Sequence, residues 1–182
     1  MLGGMRGGSM DIRTYNDSDL EEVVRLFTAS VHDLTAEHYD AAQRAAWAPQ
    51  PPQEGEWRER LGALQTLIAE KNGKPMGFIA YDAAGYIDLL YTSPQHTRRG
   101  VASSLYRRTE RALISAGVHE VSTKASSVAR PFFERHGFDV IEQERVFVRG
   151  AWFQRYAMRK VVTSAQQGAP ADAKTAGRFS HG

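Results

Sequence analysis

Residues 85–116 read GYIDLLYTSPQHTRRGVASSLYRRTERALISA, and this stretch decides the fold. Residues 86–92 are a run of apolar and β-favouring residues, which predicts a strand. Ser93-Pro94 ends the strand, because proline has no N–H to donate to a neighbouring strand. After residues 98–100 (RRG), apolar residues recur at helical spacing up to Gly117, which predicts a helix that ends at this glycine.

A strand, a basic glycine turn and a helix N-terminus in this order predict an anion-binding site. The first N–H groups of a helix have no partner inside the helix, and the helix dipole places partial positive charge at the same end. Glycine also lets a phosphate approach the backbone closely. Many helices begin near a glycine, so this pattern does not by itself indicate a ligand.

A second stretch, residues 125–138, reads ASSVARPFFERHGF. Together the two stretches resemble the GNAT superfamily of N-acetyltransferases, in particular bacterial members whose acceptors are undefined. The first motif of that family has the form Q/R-x-x-G-x-G/A, and residues 97–102 read TRRGVA. The second motif closes in aromatic-x-x-x-G-F, and residues 133–138 read FERHGF. The resemblance covers about residues 10–160.

Length and composition suit one domain with an adequate core, since the chain has 182 residues of which 42% are hydrophobic. We expect a disordered leader over residues 1–9, the acetyltransferase domain over residues 10–162 and a disordered tail over residues 163–182. The chain contains no cysteine, which excludes disulfides and a cysteine nucleophile.

Charge and hydropathy exclude several classes of partner. The 23 basic residues against 21 acidic ones give a net charge of +2, too balanced to indicate nucleic acid. No segment approaches the length of a membrane span and the N-terminus lacks an apolar signal core, so we expect a cytoplasmic protein without a membrane partner. The six histidines lack short paired spacing, so no metal is predicted. The sequence leaves a homodimer open.

The chain in order predicts the elements β-α-α-β-β-β-α-β-α-β-β. The predicted fold class is α/β (α+β), with a mixed, mostly antiparallel central sheet flanked by helices on both faces, as the GNAT resemblance implies. Asn72-Gly73 predicts a hairpin turn. The second helix is predicted to begin at Thr35, with Tyr39, Ala42 and Ala46 spaced along it.

The resemblance implies acetyl-CoA as co-substrate. Main-chain groups at the end of the central strand would bind the pantetheine arm and the acetyl carbonyl, and the helix start would hold the pyrophosphate. The residues predicted in this way are Leu90, Tyr91, Thr92, Thr97, Arg98, Arg99, Gly100, Val101, Ala102, Ser103, Ser126, Arg130 and Phe133. Thr97 replaces the Gln or Arg of the family pattern, and Ser126 stands where many members carry an asparagine.

Catalysis requires a neutral amine, so a base or a water chain must take its proton. Asp88 is the carboxylate on the central strand and the predicted base; the alternative is a structural aspartate bonded to a neighbouring loop. Phe133 stands where many family members place a tyrosine that protonates the departing thiolate. Tyr91 is the predicted substitute, with Tyr86 as the second phenol, unless the thiolate leaves unassisted. Strict alternation puts Tyr86, Asp88, Leu90 and Thr92 on one strand face and Ile87, Leu89 and Tyr91 on the other.

The acceptor site in this family is commonly lined by the first two helices and the last hairpin. His32, Tyr39, Trp47 and Trp152 are the predicted acceptor-binding residues, since each combines an aromatic ring with a polar atom. The function predicted from all these features is direct acetyl transfer from acetyl-CoA to a primary amine of a small molecule or peptide. The alternative is a catalytically degenerate acyl-CoA-binding module that regulates a partner.

Overall fold

The computed structural model describes residues 9–163, so the predicted leader apart from Ser9 and the predicted tail apart from Thr163 lie outside the described residues. The strands are β1 (Asp11–Thr14), β2 (Gln65–Lys71), β3 (Lys74–Tyr81), β4 (Tyr86–Thr92), β5 (Glu120–Ser126), β6 (Asp139–Val148) and β7 (Ala151–Val161). The helices are α1 (Leu20–Leu34), α2 (Ala41–Trp47), α3 (Glu54–Gly62), α4 (Val101–Ser115) and α5 (Arg130–Arg135).

Within residues 9–163 the seven strands form one sheet in the order β1-β2-β3-β4-β5-β7-β6. Every neighbouring pair is antiparallel except β4 and β5, which run parallel because α4 crosses from one to the other. The predicted mixed, mostly antiparallel sheet is therefore confirmed. No helix in this part of the chain is long and apolar enough to cross a membrane.

Helices cover both faces of the sheet, and each face has its own core. On one face the apolar stripe of α1, which includes Val23, Phe27 and Val31, packs on β3 and β4. On the other face α4 and α5 pack through a cluster that includes Leu105 and Phe133. These stripes follow from apolar residues spaced three and four apart, which meet on one side of a helix.

The predicted second helix is wrong at its start, because Thr35 belongs to the end of α1. The Thr35 hydroxyl donates to the Val31 carbonyl at 2.6 Å, which satisfies the end of α1. Helix α2 begins only after Asp40, whose side chain and backbone form a capping box with Gln43. Residues 35–40 are consequently a turn, and it places Tyr39 beside the sheet.

The predicted alternation along β4 is also wrong, because the strand contains a bulge at Asp88. Ala80 of β3 faces Leu89 and Tyr81 faces Ile87, so Asp88 is an extra residue without a partner on β3. Ile87 therefore joins the α4 core, whereas Leu89, which strict alternation puts on the same face, joins the α1 core. Alternation resumes beyond the bulge, with Leu90 on the α4 side. A bulge bends its strand and increases its twist.

Candidate functional site

A cleft opens between β4 and β5 beyond the bulge. The two strands pair at Tyr86 with Ser122 and at Ile87 with Thr123, and then diverge as far as Thr92 and Ser126. The cleft has a volume of about 260 Å³ and is closed by α1, α4 and α5. Its lining includes the predicted residues Leu90, Tyr91, Thr92, Ala102, Ser126 and Phe133. An extended ligand in this cleft can pair with the free edge of β4, because the backbone groups there have no strand partner on this side.

The start of α4 has the geometry of an anion site. Arg98 and Gly100 both have positive φ, at 57° and 75°, and Gly100 is the residue before the helix. The first helical backbone bond there runs from the Ser104 N–H to the Gly100 carbonyl, so the three preceding N–H groups point out of the helix end. Arg98 and Arg99 are exposed, and neither forms an ion pair with a described carboxylate.

A second cavity of about 360 Å³ lies on the other side of the β4 bulge, under α1, α3 and the β6–β7 hairpin. One part of its wall is aromatic. Phe27 packs against Trp57 with ring centroids 4.6 Å apart and against Tyr91 at 4.8 Å. Tyr39, Trp47 and Phe153 form a second group, with centroids 5.4–5.9 Å apart. The cavity can therefore hold an apolar body between two aromatic groups.

Asp88 lies where the two cavities meet and lines both of them. Arg60 of α3 donates to both carboxylate oxygens, from Nε at 2.7 Å and from Nη2 at 3.0 Å. Although partial burial lowers the pKa of Arg60, its bonds to Asp88 outweigh this and raise that pKa overall. The bidentate pair fixes the position of the Asp88 carboxylate.

Tyr91 is the one tyrosine among residues 9–163 that lines both cavities, whereas Tyr86 lines the second cavity alone. Burial raises the pKa of Tyr91 to about 12, so its hydroxyl keeps its proton at neutral pH. Phe133 is 3% exposed, and its ring packs between Phe132 and Phe138 at 5.2 and 5.1 Å. Phe133 lines the cleft as an apolar wall without a proton donor.

A second charged group spans the neighbouring strands β5, β7 and β6. Lys124 on β5 reaches Glu144 on β6 with Nζ–O distances of 2.9 and 3.2 Å. Its side chain passes over β7 at Ala157, its register partner, where the small side chain leaves room. Arg155 on β7 donates from Nε to the same Glu144 at 2.6 Å. Hydrogen bonds from Lys124 and Arg155 lower the pKa of Glu144, so this carboxylate is ionised at neutral pH.

A family model described as acetyltransferase (GNAT) domain matches residues 34–160. The chain belongs to the GNAT family of acetyltransferases. The uncharacterised N-acetyltransferase YafP of Escherichia coli K12 is 39% identical over 151 residues, which are 83% of this chain and 95% of that protein. The GNAT membership predicted from the two motifs is thereby confirmed.

Solved structures of GNAT proteins have the same fold. A GCN5-related N-acetyltransferase from Rhodopseudomonas palustris is 30% identical with a TM-score of 0.81, over 88% of this chain and 100% of that chain. The PaiA N-acetyltransferase of Thermoplasma acidophilum, solved in complex with coenzyme A, is 19% identical with a TM-score of 0.70, over 85% of this chain and 99% of that chain.

Several predicted residues lie away from the two cavities of this GNAT domain. Arg130 donates to Glu134 at 2.7 Å and its guanidinium lies 4.6 Å from the Tyr156 ring centroid, outside the cleft. His32 is bonded through Nε2 to the Ala48 carbonyl at 2.9 Å and does not line the second cavity. The side chain of Val101 is 2% exposed and lies in the core, so only its backbone can meet a ligand.

Trp152 lines neither cavity, although the next residue in the strand does. It is 53% exposed on the outer face of the hairpin, where it packs on Phe147 and lies under Arg145. Its neighbour Phe153 lines the cavity instead, because successive residues of β7 point to opposite faces of the sheet. Ala151 and Phe153 are both buried, and this shows that they share one face of the strand while Trp152 points to the other. The pair Ala151 and Trp152 alone does not show which face is buried.

The charged residues of the second cavity are absent from the residues predicted from the sequence. Arg60, Lys124 and Arg155 all line it, and none belongs to either GNAT motif. For Arg60 a signal was present: Trp57 and Arg60 are three residues apart on α3, so they share one helix face. Lys124 follows from the alternation of β5, in which Val121, Thr123 and Ala125 are buried.

Proposed function

We propose that the protein transfers an acetyl group from acetyl-CoA directly to a primary amine held in the acceptor cavity. The observation that carries the proposal is the divergence of β4 from β5 at the Asp88 bulge. It creates a cleft with a free strand edge that opens at one end towards the start of α4 and at the other towards the second cavity.

The cofactor side of the proposal rests mainly on backbone groups. The pantetheine arm would lie along Leu90 to Thr92, and the pyrophosphate would bind the N–H groups at 101–103 with Arg98 and Arg99 beside it. The coenzyme A complex of the related PaiA fold supports a CoA thioester as donor. Gly100 is needed at this point because its φ of 75° is unfavourable for any side chain. The requirement comes from the backbone and not from crowding, since nothing lies within 4 Å of where a Cβ would be.

The chemistry begins with removal of a proton from the ammonium form of the acceptor. In the proposal the proton passes to Asp88, whose oxygens each keep a lone pair that does not face Arg60. The nitrogen lone pair then bonds to the acetyl carbonyl carbon, and the carbon–sulfur bond breaks with its electron pair, so that CoA leaves as the thiolate. The nitrogen releases its second proton to solvent, which gives the neutral amide. Transfer is direct because both substrates meet at the junction of the cavities, without a cysteine to form an acyl enzyme.

The magnitude of the Tyr91 pKa decides how this residue can assist the departure of the CoA thiolate. A pKa of about 12 lies roughly 3.5 units above that of a thiol, so complete proton transfer to the thiolate is uphill by about 5 kcal/mol. In the proposal Tyr91 therefore donates a hydrogen bond to the departing sulfur, and solvent supplies the proton. Phe133 contributes an apolar wall that excludes water from the thioester.

Two measurements on the purified chain test the proposal. Acetyl-CoA should raise the melting temperature, and a mixture of primary amines should accelerate the release of free CoA with a mass gain of 42 Da on the consumed amine. Stabilisation by acetyl-CoA without amine-dependent CoA release would instead support the degenerate binding module. Absence of both effects would refute the acetyltransferase proposal itself.

A further inference from the structure

We propose that the amine acceptor carries an anionic group close to its amine, and that Arg155 and Lys124 bind this anion. The inference rests on the proposed function and names its substrate class: small apolar or aromatic amino acids and their analogues. It follows from the charges around the acceptor cavity, which neither GNAT motif contains.

Positive charge is in excess around the acceptor cavity. Four cations line it, Arg60, Lys124, Arg149 and Arg155. Two carboxylates line it, Glu56 and Asp88, and Glu144 is bonded to two of the cations from outside the lining. One positive charge is therefore without a matching carboxylate among the described residues. A cationic acceptor such as a polyamine would add to this excess, whereas a zwitterion adds no net charge.

The excess is located at Glu144, which is shared between two cations. Lys124 and Arg155 both bond to this one carboxylate, at 2.9 Å and 2.6 Å. Arg155 uses only Nε in this bond, so its Nη groups have no side-chain partner among residues 9–163. A guanidinium edge with free N–H groups in a cavity wall fits a carboxylate or phosphate in bidentate geometry.

The placement of the charges fixes where the anion would lie relative to the amine. Asp88, Lys124 and Arg155 belong to β4, β5 and β7, which are consecutive in the sheet. All three line the same cavity of about 360 Å³, so one small molecule can place its amine at Asp88 and its anion at Lys124 and Arg155. An amino acid carries both groups on one small molecule.

The aromatic wall supplies the remaining part of the recognition. The Phe27–Trp57–Tyr91 group and the Tyr39–Trp47–Phe153 group line the same cavity as the charges. Together they would enclose an apolar side chain of the acceptor. L-Phenylalanine is therefore the probe of choice, and 2-phenylethylamine is its matched analogue without the carboxylate.

The test compares kcat/KM for these two amines in the wild-type chain and in Arg155→Gln. The wild type should prefer phenylalanine by about 10-fold to 100-fold, the range of one charge-assisted hydrogen-bond pair. Arg155→Gln should raise KM for phenylalanine, leave kcat nearly unchanged and leave 2-phenylethylamine unaffected. Arg155 lines the acceptor cavity and not the acetyl-CoA cleft, so stabilisation by acetyl-CoA should not change in this variant.

Arg145→Gln is the matched control, because Arg145 lies on the same hairpin over Trp152, outside both cavities. It should behave as the wild type with both amines.

The outcome that overturns the inference is equal or better turnover of 2-phenylethylamine or spermidine than of phenylalanine. A preference that survives unchanged in Arg155→Gln overturns the role of this residue. If none of these amines is acetylated, 3-phenylpropionate decides: with CoA present it should raise the melting temperature of the wild type and not of Arg155→Gln, and no shift refutes the anion site. Failure of the acetyltransferase proposal is recognised separately, by the absence of any effect of acetyl-CoA alone.

Discussion

The two halves of the site are built from different parts of the chain. The cofactor side consists of the β4 edge and the start of α4, which belong to one continuous stretch, with β5 and α5 opposite. The acceptor side takes side chains from three helices, the turn before α2 and four strands, β4 to β7. The first depends on backbone conformation and the second on side-chain identity. Substitutions can therefore change the acceptor cavity without disturbing the cleft.

The largest effect is expected where the two halves meet, at Asp88. Asp88→Asn keeps the shape of the side chain and removes its charge, so we expect kcat to fall by about 10²–10⁴ if Asp88 accepts the proton of the amine. Stabilisation by acetyl-CoA should remain, because the phosphate site lies at the other end of the cleft. Single-turnover acetylation and thermal melts of the same samples measure the two effects.

Arg60→Gln is the control for this assignment. Arg60 bonds to the Asp88 carboxylate and positions it, so in the proposal its loss misplaces the base without removing it and should lower kcat less than Asp88→Asn does. If both variants lose the same activity and the double variant loses no more, the pair acts only as a structural unit. Normal turnover by Asp88→Asn between pH 6 and 9 would leave water as the base.

Gly100→Asp should affect only the cofactor half. A carboxylate would meet the pyrophosphate at the helix N-terminus, and we expect at least about 100-fold weaker binding. Acetyl-CoA at ~100 times its wild-type dissociation constant stabilises by about 2.7 kcal/mol, or roughly 5–10 °C in melting temperature. This shift should disappear in the variant.

Gly117→Asp is matched to it in strain. Gly117 has a φ of 83° against 75° for Gly100, and nothing lies within 4 Å of a Cβ at either position. It lies beyond the opposite end of α4, about 25 Å away along the helix axis. Both variants should melt lower than the wild type by a similar amount, and Gly117→Asp should keep the full response to acetyl-CoA. Equal responses in the two variants would place the phosphates elsewhere.

The same contrast explains what the sequence could and could not predict. The cleft and the helix start follow from local signals, since the strand, the proline stop and the glycine turn are adjacent in the chain. The phase of β4 could not be predicted, because the bulge at Asp88 is visible only in the pairing with β3. The side chain of Trp152 lies outside the cavity and that of Phe153 lines it, because a one-residue change of phase moves a side chain to the other face. Arg60 becomes a site residue only through the packing of α3 on the sheet.

Phe153 and Trp152 provide a smaller test, confined to the acceptor half. Phe153→Leu should raise KM for an aromatic acceptor by about tenfold, since it removes one ring from the Tyr39–Trp47–Phe153 group while keeping an apolar side chain. Trp152→Leu should leave KM unchanged, because the ring lies outside the cavity. Steady-state kinetics at saturating acetyl-CoA measure both. A larger effect from Trp152→Leu would mean that the hairpin face contacts the acceptor.

The smallest effect on activity is expected from Tyr91→Phe. A hydrogen bond to the departing thiolate, without complete proton transfer, predicts a loss of about tenfold or less in kcat. A loss of 10³ or more would show that Tyr91 is a true acid, and no loss would mean that the thiolate departs unassisted. The double variant Tyr91→Phe/Phe133→Tyr distinguishes these explanations further. The new phenol in the cleft should restore activity only if the departing thiolate requires a hydrogen-bond or proton donor.

The raised pKa of Tyr91 also predicts an effect on stability, which can be measured without an activity assay. Its pKa in the folded chain is about 12, above the value near 10 of an unfolded chain, so the folded state keeps its proton to higher pH. The stabilisation from this difference is complete below pH 10 and is lost as the pH rises towards 12. Between pH 9 and 11 the free energy of unfolding should fall by about 1.3 kcal/mol less in Tyr91→Phe than in the wild type, as measured by urea titration. Tyr15, Tyr81, Tyr86 and Tyr106 also have raised pKa values, but they contribute equally to both proteins and cancel in the comparison. Parallel loss of stability in the two proteins would mean that the Tyr91 hydroxyl is solvated, and its place between the two cavities would then be open to water.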